Sequence, residues 1–276
     1  MPDSNIKRLL KFITRPLVLI LILTGTHSFA FTKNGDTARV ATFKFKTVVI
    51  DAGHGGKDPG AGRGTSVEKT VALAVALKLR DMINADLPSV NVIMTRSTDV
   101  FIELHKRAQI ANDAKANLFI SIHCNSSPQT EGTRRGAEIL VYGYSRKGEQ
   151  MEAIRENASI YQEKDYAKKY SGYTTNDPTY FIVLNAFMQK YRDQAIKFGK
   201  MVSDEFAEHD GRRSEGVHEQ SLLVLANAGL PGVLIETGFI NTPADAKYLM
   251  SADGQSEMAA SILRALKKYK KSFERG

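Results

Sequence analysis

The sequence of 276 residues contains only one cysteine, Cys124. A chain with a single cysteine forms no intramolecular disulfide, so a hydrophobic core must supply the stability of the fold. Cys124 lies beside an apolar run, and this position predicts a small buried residue rather than a nucleophile.

Long hydrophobic runs are also scarce. The apolar block Leu17–Leu23 is far shorter than the roughly 20 residues that a membrane-spanning helix needs. Basic residues precede this block, and Ser28 and Ala30 supply small side chains at the two positions that a signal peptidase recognises. We therefore expect a signal peptide over residues 1–30 and export to the periplasm or cell envelope, with an uncleaved membrane anchor as the alternative. Residues 31–45 are polar and unpatterned, and we expect them to form a tether.

The charge of the chain is mildly positive. Lysine and arginine outnumber aspartate and glutamate by 38 to 30, and without residues 1–30 the net charge falls to about +5, from 34 basic and 29 acidic residues. Such a balance suits an anionic polymer such as a cell wall, or a membrane surface. The basic residues are not concentrated in one run, so no nucleic-acid partner is expected.

Apolar segments and helical patterns alternate along the chain. Five mostly apolar segments predict β-strands at 47–51, 90–95, 118–123, 137–143 and 232–236. Helical periodicity predicts helices at 66–83, with Ser66 as the N-cap, and at about 102–115, 187–206 and 255–272. This alternation predicts one α/β domain over residues 46–272, with a mainly parallel or mixed sheet flanked by helices on both faces. The stretch 144–180 is polar, charged and rich in tyrosine, and it is predicted to be an insertion into this core.

A glycine-rich loop follows the first predicted strand, in the sequence VVIDAGHGGKDPG of residues 48–60. A P-loop would need glycine at Asp51 and serine or threonine at Asp58. The dinucleotide-binding fingerprint would need its third glycine at Asp58 as well. Both phosphate-binding motifs are therefore excluded, and we expect the glycines to let the backbone turn tightly and present a side chain at the sheet edge.

Two histidines lie at or just after the ends of predicted strands. His54 is in the glycine-rich loop, and His123 ends the segment LFISIH. Glu68 lies in the first turn of the helix that follows the loop, from which its carboxylate can return toward His54. Two histidines and one glutamate form the ligand set that zinc hydrolases use, with a fourth position open to water. Spacing alone leaves structural roles for these residues open.

Glu236 ends the apolar segment GVLIE and begins ETGFIN. A carboxylate at this position is either an N-cap or ion-pair partner, or a general base beside a metal site. The pattern does not decide between the two.

Five sequence blocks, in this order, resemble those of the zinc-dependent N-acetylmuramoyl-L-alanine amidases that cut bacterial cell wall. The blocks are VVIDAGHGGKDPGA, VEKTVALAVALKL, MTRSTDVFIELHKRAQIAN, FISIHCNSS and LPGVLIETGFIN. The resemblance covers most of residues 46–250 and agrees with the α/β fold predicted above. It implies zinc ligation by His54, Glu68 and His123, and a catalytic role for Glu236. It also implies a peptidoglycan substrate, cut at the amide between N-acetylmuramic acid and L-alanine.

The predicted insertion resembles the regulatory segment of family members that act in cell division. In those members, a helix covers the zinc groove and a glutamate on it reaches the metal until an activator protein displaces the helix. The segment EAIRENAS carries this resemblance and makes Glu156 the candidate plug. The alternative for Glu156 is a solvated helix without contact to the site.

Two further residues have open roles. Arg96, with Arg107 and Asp99 nearby, either binds the peptide stem or belongs to a structural ion-pair network. Asn125 either orients substrate or holds its loop. A zinc peptidase or a carbohydrate deacetylase with the same ligands is the alternative enzyme. A catalytically inactive wall-binding module is a third class, and the presence of all four expected polar residues argues against it.

Overall fold

A computed structural model describes residues 44–129, 132–143, 150–170 and 178–275 of the chain, without the side chains of Arg63 and of 178–188. The predicted signal peptide lies outside the described residues, as does the predicted tether except for Lys44 and Phe45. Residues 144–149 and 171–177 of the predicted insertion also lie outside them.

Six strands form one mixed sheet, and two short strands form a separate hairpin. In chain order the strands are β1 (Thr47–Ala52), β2 (Gly62–Arg63), β3 (Ser66–Val67), β4 (Asn91–Met94), β5 (Leu118–Asn125), β6 (Ala137–Tyr142), β7 (Ser214–Gln220) and β8 (Gly232–Phe239). The order in the main sheet is β4-β1-β5-β8-β6-β7. Only the pair of β6 and β8 is antiparallel among these neighbours. The prediction of a mixed α/β sheet is thus confirmed, and all five predicted strands are present.

Helices cover both faces of the sheet. They are α1 (Glu68–Asp86), α2 (Leu104–Asp113), α3 (Met151–Asn157), α4 (Tyr166–Lys169), α5 (Pro178–Asp204), α6 (Leu223–Ala226), α7 (Pro243–Leu249) and α8 (Ala252–Phe273). A 3₁₀ turn at Ala158–Gln162 follows α3, and a π turn at Glu205–His209 follows α5. Val48 and Ile50 pack into one core with α1, α5 and α8, whereas Val49 packs into a second core with α2 and α6. This division follows from the alternation of side chains along a strand.

Two local features differ from the sequence predictions. Ser66 is not the N-cap of α1: it pairs in β3 with Arg63, and α1 begins at Glu68 after Val67. Ser66, which would otherwise cap the helix, is thus part of the β2–β3 hairpin. Strand β7 was not predicted, because it is an edge strand whose sequence SEGVHEQ is mostly polar.

Burial agrees with the expectation for the single cysteine. Cys124 is fully buried in the first core, beside the hydroxyl of Thr237. Among the described residues, no helix has the length and apolar character required to cross a bilayer.

Candidate metal centre

The carboxyl-terminal ends of three parallel neighbours, β1, β5 and β8, meet at one edge of the sheet. His54 follows β1, His123 lies near the end of β5, and Glu236 lies in β8. His123 and Glu236 are direct partners in the register of β5 and β8. The topology therefore brings together residues that are far apart in the chain.

The loop after β1 holds His54 in a left-handed backbone conformation with φ of 57°. Gly55 and Asp58 pair through two backbone hydrogen bonds, which close the turn. Oδ2 of Asp58 lies 2.9 Å from Nδ1 of His54 and fixes the ring, so that Nε2 points toward Glu68 and Glu156. Burial opposes ionisation of Asp58, but the contact with His54 outweighs it and lowers the pKa of Asp58 to about 2.

Glu68 is the first residue of α1 and is fully buried. Its two oxygens accept hydrogen bonds from the backbone N–H groups of Ala61 and Cys124, each at 2.8 Å. They also lie 3.2 Å from Nε2 of His54 and 3.1 Å from Nδ1 of His123. Burial raises the pKa of Glu68, but the histidines outweigh burial and lower it to about 2.

His123 packs against the backbone of Gly53. A Cβ atom at Gly53 would lie 2.4 Å from the imidazole of His123, which is an impossible contact. The rings of His54 and His123 are 4.9 Å apart between centroids. Glycine at this position therefore permits the approach of the two histidines.

These residues fit a metal ion. His54, Glu68, His123 and Glu156 each offer one ligand atom, and the four atoms lie within 4.8 Å of one another. Nε2 of His54 and Oε2 of Glu156 are buried, and neither has a hydrogen-bond partner within the described part of the chain. Buried polar atoms are almost always satisfied, and converging unsatisfied ones suit a cation. Imidazole nitrogens with carboxylate oxygens in a four-atom group form a donor set suited to zinc.

Glu236 is fully buried beside this group. Its Oε1 accepts a hydrogen bond from Arg155 at 2.8 Å, and its Oε2 has no hydrogen-bond partner among the described residues. Burial raises the pKa of Glu236 well above its usual value, against the opposing charge of Arg155. A carboxyl group with a raised pKa holds a proton more readily than an exposed one, which suits a group that takes up and returns a proton.

Helix α3, within the predicted insertion, lies over the cluster. Oε2 of Glu156 lies 2.8 Å from Nδ1 of His123 and 3.2 Å from Nε2 of His54. Glu156 is 4% exposed, so it does not lie on a solvated helix face. The cleft that remains beside Glu156 and Ser159 has a volume of about 260 Å³.

Arg155 precedes Glu156 and contacts four groups. Its guanidinium donates to Oε1 of Glu156 at 2.9 Å, to Glu236 at 2.8 Å, to Oδ1 of Asn125 at 2.8 Å and to the carbonyl of Ser126 at 3.0 Å. Asn125 is buried. Its Nδ2 donates to Glu138 at 2.9 Å, and its Oδ1 also accepts from the backbone N–H of Ser126 at 2.7 Å. Asn125 therefore contacts both the core and α3.

Two buried arginines hold the backbone of the His54 loop. Arg96 donates to the carbonyl oxygens of Ala52 and Gly53, at 2.9 and 2.7 Å. Arg107 donates to the carbonyl of His54 and to the carboxylate of Asp51, both at 2.8 Å. These contacts favour a structural role for Arg96, but through backbone carbonyls rather than through the predicted ion-pair network.

Sequence reasoning missed Asp58 and Arg155 as residues of the site, and it named Arg107 only as a candidate for stem binding or an ion-pair network. The spacing of Asp58 four residues after His54 was a usable signal, since an outer carboxylate commonly orients a metal-binding histidine. The roles of Arg107 and Arg155 depend on contacts made only in the folded chain.

Comparison with known proteins identifies the family. A family model described as N-acetylmuramoyl-L-alanine amidase matches residues 48–268. The chain is 32% identical over 225 residues to the N-acetylmuramoyl-L-alanine amidase AmiC of Escherichia coli, which covers 80% of this chain and 52% of that protein. It is 30% identical over 228 residues to a putative N-acetylmuramoyl-L-alanine amidase of Buchnera aphidicola, covering 81% of this chain and 94% of the relative.

Solved structures agree with this assignment. The CwlD amidase of Clostridioides difficile, solved in complex with the GerS lipoprotein, superposes with a TM-score of 0.60 at 25% identity, covering 82% of this chain and 99% of that one. The matched part of the chain spans about half the length of the E. coli relative. The extent of the family match shows that the chain belongs to the N-acetylmuramoyl-L-alanine amidase family.

Proposed function

We propose that the protein is an exported, zinc-dependent N-acetylmuramoyl-L-alanine amidase. Its substrate would be peptidoglycan, cut at the amide between N-acetylmuramic acid and L-alanine. The observation that carries this proposal is the convergence of His54, Glu68 and His123 beside Glu236, which is buried and directly opposite His123 in the sheet. The family match supports the reaction type.

The residues of the chain have distinct roles in this reaction. His54, Glu68 and His123 would hold the zinc ion, which when bound lowers the pKa of water and polarises a carbonyl group. Glu236 would take a proton from the attacking water and pass it to the leaving amine. Asp58 would orient His54 through Nδ1, leaving Nε2 for the metal.

We further propose that residues 144–180 form a regulatory insertion and that Glu156 is its plug. Glu156 lies among the candidate ligands, where a fourth ligand would exclude water. The cleft of about 260 Å³ beside it is smaller than typical ligand sites of roughly 300–1,000 Å³. A cleft of this size supports the proposal that α3 restricts access to the site.

The insertion is fastened to the core beyond Glu156. The hydroxyl of Ser159 donates to Asp58, and Asn157 donates to the carbonyl of Ser221 at 2.9 Å. Glu163 accepts from the backbone N–H of Leu104, the first residue of α2, at 2.9 Å. Release of α3 would break several polar contacts, so opening would need a partner that binds the displaced segment. The lipoprotein bound to the C. difficile relative is consistent with an activator protein for this chain.

The biological setting follows from the same features. The basic and apolar pattern of residues 1–30 supports a signal peptide, and the mild positive charge suits an anionic wall polymer. Regulated amide cleavage in peptidoglycan would serve cell-wall remodelling or separation of daughter cells.

Digestion of purified peptidoglycan tests the proposed reaction. The protein and its Glu156→Ala variant are incubated with the polymer, with and without a chelator, and the soluble fragments are analysed by mass. We expect stem peptides that begin with L-alanine, more of them from the variant, none after chelation, and recovery on addition of zinc. Fragments cut within the stem peptide, or deacetylated sugars, would contradict the proposal.

A further inference from the structure

The guanidinium of Arg155 lies on a set of hydrogen-bond acceptors that belong to the core. One terminal nitrogen donates to Glu236, and the other donates to Oδ1 of Asn125 and to the carbonyl of Ser126. The three distances are between 2.8 and 3.0 Å. Arg155 thus connects the candidate general base to the end of β5 by two neighbouring donors.

When α3 leaves the site, these acceptors lose the hydrogen bonds that Arg155 donates to them. Glu236 is fully buried beneath α3, so its Oε1 needs a new donor in a closed complex with substrate. Oδ1 of Asn125 keeps the backbone N–H of Ser126 as one donor, and the departure of Arg155 frees its second acceptor position. A stem peptide supplies such donors, because each of its amides carries an N–H group. The acceptors therefore predict which part of a substrate lies over Asn125 and Ser126.

The position of the leaving nitrogen is fixed by chemistry. A general base that returns its proton to the leaving amine must come within hydrogen-bond distance of that nitrogen. The terminal nitrogen of Arg155 that donates to Glu236 lies at this distance, so it occupies a position that the leaving nitrogen can take. The next donor along the peptide is the N–H of the second stem residue. The other terminal nitrogen of Arg155, which donates to Asn125 and Ser126, occupies a position that this N–H can take.

We propose that Asn125 Oδ1 and the Ser126 carbonyl bind the N–H of the second stem residue, and that Arg155 inhibits by occupying this subsite. The inference rests on the proposed amidase function. Arg155 and Glu156 then act as a two-residue substrate mimic, with Glu156 at the metal ligands and Arg155 on the peptide side of the cleaved bond. The stem peptide would extend from Glu236 toward Asn125 and Ser126.

Competition between a stem-like dipeptide and α3 tests the subsite without measuring catalysis. Amide hydrogen exchange of residues 151–157 is followed in the full-length protein, with and without the dipeptide L-alanyl-D-isoglutamine. If the dipeptide and Arg155 share acceptors, it should accelerate exchange in α3 by roughly tenfold at saturation. The same dipeptide methylated on the nitrogen of its second residue should have no effect.

Variants assign the effect to residues. Arg155→Ala should exchange faster without any dipeptide, because three contacts to the core are gone. In Asn125→Ala the dipeptide should cause a smaller acceleration, because only the carbonyl of Ser126 remains as an acceptor. Arg80→Ala is the control, since Arg80 lies on α1 and pairs with Asp81. Thermal unfolding checks that each variant folds, and Arg155→Gln replaces Arg155→Ala if the alanine variant does not.

The outcomes separate this inference from the proposed function. Equal acceleration by the methylated and unmethylated dipeptides, or no acceleration by either, would overturn the subsite. An unchanged response in Asn125→Ala would do the same. Failure of Arg155→Ala and Glu156→Ala to release stem peptides from peptidoglycan would instead contradict the amidase function, whatever the exchange experiment gives.

Discussion

The guanidinium of Arg155 donates to the carboxylate of Glu236 at 2.8 Å. This contact joins the helix that covers the site to the residue expected to move the proton. Arg155 is adjacent to Glu156, so one turn of α3 contacts both the candidate ligands and the candidate base. Inhibition by α3 would therefore act both at the metal ligands, through Glu156, and at the general base, through Arg155.

Glu236→Gln should abolish hydrolysis while metal binding is retained. The amide keeps the shape of the side chain but accepts no proton, and loss of a general base typically costs about 10²–10⁴ in rate. Peptide release from peptidoglycan and bound zinc per chain are measured on the same sample. Glu257→Gln, an exposed residue on α8, is the matched control. Hydrolysis at the normal rate in Glu236→Gln would show that another group is the base.

Asp58→Asn should weaken zinc binding by about 10–100-fold, the usual effect of losing an outer carboxylate. Asp58 orients the His54 ring through Nδ1 at 2.9 Å, and an amide holds the ring less firmly. Zinc affinity is measured by competition with a chromophoric chelator. Asp81→Asn serves as control, since Asp81 is exposed on α1 and pairs with Arg80. Equal affinities in the two variants would contradict the orienting role.

Arg107→Met should lower the free energy of unfolding by about 3–5 kcal/mol, as expected when one partner of a buried ion pair is removed. Arg107 is 1% exposed, and its loss leaves the Asp51 carboxylate without its cation and the carbonyl of His54 without a donor. Urea denaturation of the metal-free protein measures the change. Arg80→Met, at a solvated position, should change stability by less than about 0.5 kcal/mol. A similarly small change for Arg107→Met would show that the buried ion pair of Arg107 with Asp51 does not stabilise the fold.

Asp51→Asn should make stability less dependent on pH in acid. Burial raises the pKa of Asp51, but Arg107, Thr95 and Ser121 outweigh burial and lower it below the unfolded value of 3.8. The ionised carboxylate therefore stabilises the fold above that pH, and this contribution is lost as the pH falls toward the folded pKa. Urea denaturation from about pH 5 to pH 2 should show a shallower slope in the variant. Parallel curves for the two proteins would contradict this assignment.

Much of the site follows from the sequence, because its ligands lie at strand ends and at a helix start. Apolar runs locate β1, β5 and β8, and His54, His123 and Glu236 stand out as polar residues at or near their ends. Parallel strands place such residues at one edge of a sheet. The register that sets His123 opposite Glu236 is a tertiary property, and no local pattern encodes it.

The parts that sequence reasoning missed depend on long-range contacts. An ion-pair network was an open prediction for Arg107, but its contact with a backbone carbonyl of the His54 loop was not, because carbonyls carry no sequence signal. Arg155 resembles any charged residue of a surface helix until the chain brings it to Glu236. Ser66 is the reverse case, a predicted role that the fold does not use. Serine suits a helix N-cap, but Ser66 pairs with Arg63 in the β2–β3 hairpin and α1 begins two residues later.

Hydrolysis of peptidoglycan in water enriched with heavy oxygen identifies the bond that the protein cuts. The Glu156→Ala variant, loaded with zinc, digests the polymer, and mass spectrometry locates the isotope. Cleavage of the proposed amide places one heavy oxygen in the lactyl carboxylate of N-acetylmuramic acid and none in the released peptide, which begins with L-alanine. Heavy oxygen in a stem-peptide carboxylate or in released acetate would contradict the account.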